Sequence, residues 1–170
     1  MDAAVVHLSA EDLDTLIEEY SFPWEALEKT QEKWNRYYTE HQNEKRTVAL
    51  LKANKKIVGY GSLLYTPECP FFSDTPEISD VWIHEKHRRV GLGSSLIHWF
   101  ENLAKKKGYK DIGIGVGLYS DYGPAQKLYV KLGYVPDGNG ITYQCQKTIP
   151  GEPYPLDDDL VLWLKKILLY

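Results

Sequence analysis

The stretch Glu77–Ile83, the turn after it and the helix beyond constrain this chain more than any other part. Glu77–Ile83 reads as a strand. Residues 91–107 read as an amphipathic helix, with Leu92, Leu96, Phe100, Leu103 and Ala104 at helical spacing. Lys105, Lys106 and Lys107 place cations on the negative end of the helix dipole, and Gly108 offers a left-handed cap. Asp111–Gly117 follows as a second strand. A strand–helix–strand unit in the middle of the chain makes the fold mixed α/β.

The flanks fit that frame. Ser9 and Asp12 resemble a capping box that opens a helix through about Tyr20, which Pro23 ends. A second helix is expected over 24–41, with Leu27, Trp34 and Tyr38 near helical spacing. Strands at 47–52 and 57–65 flank a hairpin turn at Asn54-Lys55, and 66–76 reads as a proline-bearing loop. Residues 121–132 form a further helix, with Asp121 as its cap, Pro124 in its first turn and Gly133 as its stop. Late strands are expected at 142–146 and 160–164. In Asp111–Gly117 the alternate residues Gly113, Gly115 and Gly117 leave one face bare, which suits close approach by another backbone or a ligand.

Composition narrows the classes. At 170 residues the chain is one domain by the usual length prior, with enough mass for a real core. A net charge of −4 argues against a broad basic face, so no nucleic-acid partner is expected. The longest near-apolar stretch, 160–170, is interrupted by Lys165 and Lys166, so no membrane span is expected. The N-terminus lacks the pattern of a signal peptide. The two cysteines, Cys69 and Cys145, are far apart in sequence and suggest neither a disulfide framework nor a zinc site, which fits a cytoplasmic protein.

The chemistry concentrates in the turn from Ile83 through Ser94. A helix start leaves backbone N–H groups unpaired, and the dipole adds partial positive charge there. Glycine lets a diphosphate approach the backbone, and Arg88 and Arg89 add cationic donors. The turn is not a P-loop, because no Lys-Ser/Thr follows the last glycine. It is not the dinucleotide fingerprint either, because position 96 is Leu. It reads R-x-x-G-x-G through Arg88, Gly91 and Gly93.

That motif resembles the GNAT superfamily of acyl-CoA-dependent N-acyltransferases. The run from Ala125 to Tyr134 is similar to the family's A-x-x-L-Y-x-K-x-G-F signature, and residues 136–138 and 157–160 resemble a bacterial subgroup. The resemblance implies a single domain over 1–170, with a mixed central sheet of about seven strands, splayed at the cofactor site and flanked by about four helices. It implies acetyl-CoA as co-substrate, between the strands ending at Ile83 and near Gly117. Trp82 and Ile83 would pair with the pantetheine arm, and Arg88, Arg89, Val90, Gly91, Leu92, Gly93 and Ser94 would hold the diphosphate. Tyr122 stands where the family often has Asn, three residues before Ala125, and both are candidate cofactor contacts.

The reaction implied is direct attack of a primary amine, on a small molecule or a peptide, upon the thioester. Tyr129, where the family places a residue near the sulfur, would protonate the leaving thiolate. Glu77 matches a position where many relatives carry a glutamate acting through water. Asp80, three residues on, would project from the opposite face. His84 and His87 are further proton carriers in the turn. They do not form H-E-x-x-H, since Arg88 holds the second histidine position, and no metal is expected. Residues 18–38 would form the acceptor side. Glu18, Glu19, Glu25, Glu28 and Glu32 with Tyr20, Phe22, Trp24, Trp34, Tyr37 and Tyr38 suit a cationic amine. A non-catalytic acyl-CoA sensor or regulatory module and a generic nucleotide-binding protein are the competing readings. Residues 160–164 would pair either across a homodimer or inside the sheet.

Overall fold

A computed structural model describes residues 3–20, 25–72 and 74–169. In chain order its elements are β1 (Ala4–His7), α1 (Leu13–Glu19), α2 (Leu27–Gln42), β2 (Arg46–Ala53), β3 (Lys56–Leu64), β4 (Glu77–Ile83), α3 (Leu92–Lys106), β5 (Asp111–Gly117), α4 (Gly123–Lys131), β6 (Val135–Tyr143), β7 (Gln146–Lys147) and β8 (Leu160–Ile167). Hydrogen-bonded neighbours run β1-β2-β3-β4-β5-β8-β6-β7 in one mixed sheet. The chain divides into two compact units, Met1–Leu63 with Asp80–Leu96 and Leu64–Ser79 with Ile97–Tyr170, and both β4 and α3 contribute residues to each.

In the first unit β1 runs antiparallel to β2, from Ala4 opposite Lys52 to His7 opposite Ala49. The turn between β2 and β3 holds Asn54 and Lys55 at φ 50° and 66°, the pair of left-handed residues that a two-residue hairpin favours. Its core joins Leu8, Leu16, Trp34, Tyr37, Val48, Leu50, Ile57 and Tyr60. The segment entering α1 is secured by Asp12, whose carboxylate accepts from Ser9 N–H at 3.1 Å, from Ser9 Oγ at 2.8 Å and from Lys52 Nζ at 2.5 Å. Pro23, the expected stop beyond α1, lies outside the described residues.

In the second unit the start of β4 lies parallel to β5, with Glu77 opposite Gly113. Strand β8 runs antiparallel to β5 on one side and to β6 on the other. Both its edges are therefore occupied, and of the two pairings expected for 160–164 the internal one holds. The lysine-rich end of α3 closes as expected: Gly108 adopts φ 86° and Tyr109 N–H returns to Ala104 O at 3.1 Å.

Three expectations need correcting. The segment predicted as one strand at 142–146 contains a turn, and among the described residues the sheet counts eight strands. Gln144 and Cys145 take φ 49° and 58°, separating β6 from the two-residue β7. Asp121 does not cap α4: Ser120–Tyr122 is a 3₁₀ turn, and Asp121 accepts instead from Ser120 Oγ at 3.3 Å. The bare face of β5 is covered by the chain's own side chains. A Cβ at Gly113 would stand 2.9 Å from the Phe72 ring and one at Gly115 2.9 Å from Trp163, while one at Gly117 would run into the Tyr122 ring.

Candidate active site

The turn after β4 is built from backbone that few residues adopt readily. A 3₁₀ turn at Glu85–His87 leads to Arg88 in extended backbone, then Arg89 at φ 64° and Gly91 at φ 88°. The left-handed position 91 is where glycine is needed, and a Cβ there would meet nothing within 4 Å. Arg88 Nε donates to Ile83 O at 2.8 Å, tying the exposed arginine back to the strand end. Gly91 O accepts the first helical bond, from Ser95 N–H at 3.0 Å. Helix geometry then leaves the N–H groups of Leu92, Gly93 and Ser94 without an intrahelical acceptor. Arg88, Arg89, Val90 and Gly91 are exposed; Trp82, Ile83, Gly93 and Ser94 are half-buried; Leu92 is buried. The first unit thus brings together the cationic donors, the glycine and the helix start that suit an anion.

In the second unit Tyr129 lies buried on α4. Burial pushes its phenol up to about 12, so it keeps its proton at neutral pH. Tyr122 ends the 3₁₀ turn before α4, with its ring against Gly117 and its hydroxyl donating to Asp158 Oδ1 at 2.9 Å. Tyr119 donates to the same oxygen. Burial first, then the Asp158 hydrogen bond, holds the Tyr122 phenol well above its ordinary value. Ala125 lies half-buried in α4. Glu77, half-buried at the start of β4, acts electrostatically on Cys145.

Strict alternation along β4 does not hold. Asp80 takes φ 54°, a left-handed residue inside a strand, so the even spacing that would oppose Glu77 and Asp80 is broken there. In the first unit Asp80 accepts a hydrogen bond from Tyr37 OH and stands 4.0 Å from Lys33 Nζ. A chain of rings surrounds this group. Tyr20 is edge-on to Trp82, Trp82 is stacked on Tyr60 at 5.4 Å, and Tyr60 is edge-on to Trp34 at 4.9 Å. Trp34 in turn packs edge-on to Tyr37, and Arg46 lies 4.0 Å over the Tyr37 ring. Burial first, then the Asp80 carboxylate, pushes the phenols of Tyr37 and Tyr60 well above their ordinary values. Of the acceptor-side residues expected from sequence, Phe22 and Trp24 lie outside the described residues, and Glu25 accepts from Thr30 Oγ1 at 3.1 Å.

The two cysteines meet despite their separation in sequence. Cys69 is buried, Cys145 packs against its cluster, and both are free thiols. Burial first, then a hydrogen bond with Cys69, pushes the Cys145 thiol up to about 12. Among the described residues no group of His, Cys, Asp and Glu could hold a metal ion. No helix among them is long and apolar enough to cross a membrane.

A family model described as the acetyltransferase (GNAT) family matches residues 13–134. The chain belongs to the GNAT family. It is therefore an acyltransferase, and solved GNAT structures share its fold. A GNAT family acetyltransferase from Elizabethkingia anophelis, with acetyl-CoA bound, is 25% identical with a TM-score of 0.61, over 98% of each chain. The PaiA N-acetyltransferase from Thermoplasma acidophilum, in complex with coenzyme A, is 17% identical with a TM-score of 0.67, over 98% of this chain and 99% of that one. An N-acetyltransferase from Staphylococcus aureus is 18% identical with a TM-score of 0.69, over 99% of this chain and 100% of that one. No curated protein matches.

Two residues of this GNAT chain are not among those its sequence singles out. Lys33 approaches both the Asp80 carboxylate and the Tyr60 ring. Lys33 lies on a helix rich in charge, and Tyr60 lies in an apolar run that reads as core. No local spacing signals that such residues meet, because the contact joins a helix to two different strands.

Proposed function

We propose that the protein transfers the acetyl group of acetyl-CoA to a primary amine of a small molecule or peptide by direct attack on the thioester. The observation that carries this reading is the turn after β4, where Arg88 is anchored to Ile83 O and a left-handed Gly91 opens directly into the first turn of α3. A diphosphate needs such a donor set, and the turn supplies it from backbone and arginine together. Arg88, Arg89, Val90, Gly91, Leu92, Gly93 and Ser94 would hold that diphosphate, with backbone groups of Trp82 and Ile83 serving the pantetheine arm. Tyr122 and Ala125 are further candidate contacts. Acetyl-CoA supplies an activated acyl group, and the titratable side chains serve the two proton transfers.

Tyr129 is assigned the acid role. A phenol pushed up to about 12 stays protonated and is able to protonate a leaving thiolate. Glu77 is assigned the base role, through water, for the amine proton. The Elizabethkingia relative holds acetyl-CoA, which supports the choice of co-substrate.

A thiol-release assay with acetyl-CoA over a panel of amines tests the reading. Release that depends on both acetyl-CoA and the amine is expected; binding of acetyl-CoA without release on any amine would favour a sensor module instead. Tyr129→Phe is expected to lower kcat roughly 100-fold. If Tyr129→Phe and Glu77→Gln both leave turnover unchanged, the assigned roles are wrong. Arg88→Ala is expected to raise KM for acetyl-CoA about tenfold with little change in kcat, because a diphosphate contact is equal in ground and transition states.

A further inference from the structure

Lys33 occupies an unusual setting in the first unit. Its ammonium lies 5.6 Å from the Trp34 ring centroid, 5.6 Å from that of Tyr37 and 5.9 Å from that of Tyr60. The Asp80 carboxylate stands 4.0 Å away, at the outer limit of an ion pair. Three ring faces and one carboxylate are the materials of an alkylammonium site, since the ring quadrupoles and the anion both attract a cation while the rings shed water.

Closing a core does not require these groups. Trp34 and Tyr60 are 1% and 3% exposed, so an aliphatic side chain at 33 would seal the rings as well. Asp80 also holds a left-handed backbone conformation that only a few residue types tolerate, and its side chain is 35% exposed. Tyr37 directs its hydroxyl to that carboxylate, fixing its orientation. The lysine itself is held loosely: ring faces and a distant charge surround it, and its carboxylate partner is beyond hydrogen-bond range.

We infer that Asp80, Tyr37, Tyr60 and Trp34 form the subsite for the ammonium group of the acceptor, and that Lys33 is a built-in competitor for it. The inference rests on the acetyltransfer reading above and narrows its acceptor. Lys33 already brings an ammonium on an unbranched four-carbon chain to these groups, so the matching acceptor is a linear alkylamine or a lysine side chain. An α-amine beside a branched carbon fits it less well. Asp80 binds and orients the cation in this arrangement, with Tyr37 as its positioning residue.

Two measurements on the full chain decide the matter. The first is steady-state acetylation of n-butylamine and of alaninamide. Lys33→Ala, which removes both the chain that covers the rings and its charge, is expected to lower KM for n-butylamine about tenfold and leave KM for acetyl-CoA unchanged. Lys33→Arg retains the wild-type KM, Asp80→Asn raises it about tenfold, and alaninamide shows less than half of either effect on a logarithmic scale. The second is a titration of tryptophan fluorescence, to which Trp34 and Trp82 contribute, with n-butylammonium in the absence of acetyl-CoA, and with Lys33→Ser as a second variant. Both Lys33→Ala and Lys33→Ser are expected to bind n-butylammonium about tenfold tighter than wild type. Affinities within twofold of wild type overturn the inference whether or not turnover occurs. Turnover lost on every amine, with the fluorescence result intact, would instead remove the acetyltransfer reading.

Discussion

Two carboxylates in this molecule are each met by a tyrosine and a lysine, and they differ in how completely. Glu101, on α3 in the second unit, accepts from Tyr134 OH at 3.0 Å and from Lys166 Nζ at 2.9 Å on one oxygen, and lies 3.1 Å from His98 Nδ1 on the other. Its side chain is 8% exposed and it sits in regular helix. Asp80, in the first unit, has one close side-chain donor among the described residues, Tyr37, and a lysine 4.0 Å off, on backbone that is not regular. A saturated carboxylate can only hold structure. An open one, on a conformation that favours no strand, keeps acceptor capacity for something else.

The strongest way to break this comparison is Glu101→Gln. Neutralising a buried carboxylate leaves the Lys166 ammonium without its counter-ion, so unfolding free energy should drop by roughly 3 kcal/mol, read as a lower denaturant midpoint. The matched change, Asp80→Asn, should cost about 1 kcal/mol or less, since its group is a third exposed and its lysine partner is loosely held. Equal losses at the two sites would erase the distinction. The smallest effect is the acid limb. His41 accepts the Val48 N–H at 3.1 Å through Nδ1, and burial first, then His7, lowers its pKa from 6.5. A base with a lowered folded pKa contributes stability above its unfolded value. That share is lost as pH falls below 6.5 and through the folded pKa. His41→Ala should flatten this limb in a pH series of denaturant melts, and Asp80→Asn should leave it in place.

The same contrast separates what is legible in the sequence from what is not. The turn from Ile83 to Ser94 can be read because its chemistry is local: two arginines, two glycines and a helix start are adjacent in the chain. The α3 stop at Lys105 to Gly108 and the Asn54-Lys55 turn are legible for the same reason. Gln144 and Cys145 hide their turn because neither is a residue that advertises left-handed backbone. The glycines of β5 promise an open face, and only the fold shows that Phe72, Trp163 and Tyr122 fill it. The Asp80 group is hardest of all. Lys33, Tyr60 and Asp80 lie on three separate elements, and the left-handed turn of Asp80 defeats an argument from strand alternation.

The ends of the strand order carry a consequence for the protein in company with its own copies. Among the described residues one outermost strand, β1, spans four residues, and the other, β7, spans two. Pro150, soon after β7, has no N–H to offer an approaching chain. β7 covers only the end of β6, and the rest of that edge is broken by Pro136 and by Gly138 and Gly140 at φ 93° and 76°. A neighbouring molecule finds little regular ladder to extend, so crowding at high concentration should not readily zip molecules together into fibrils.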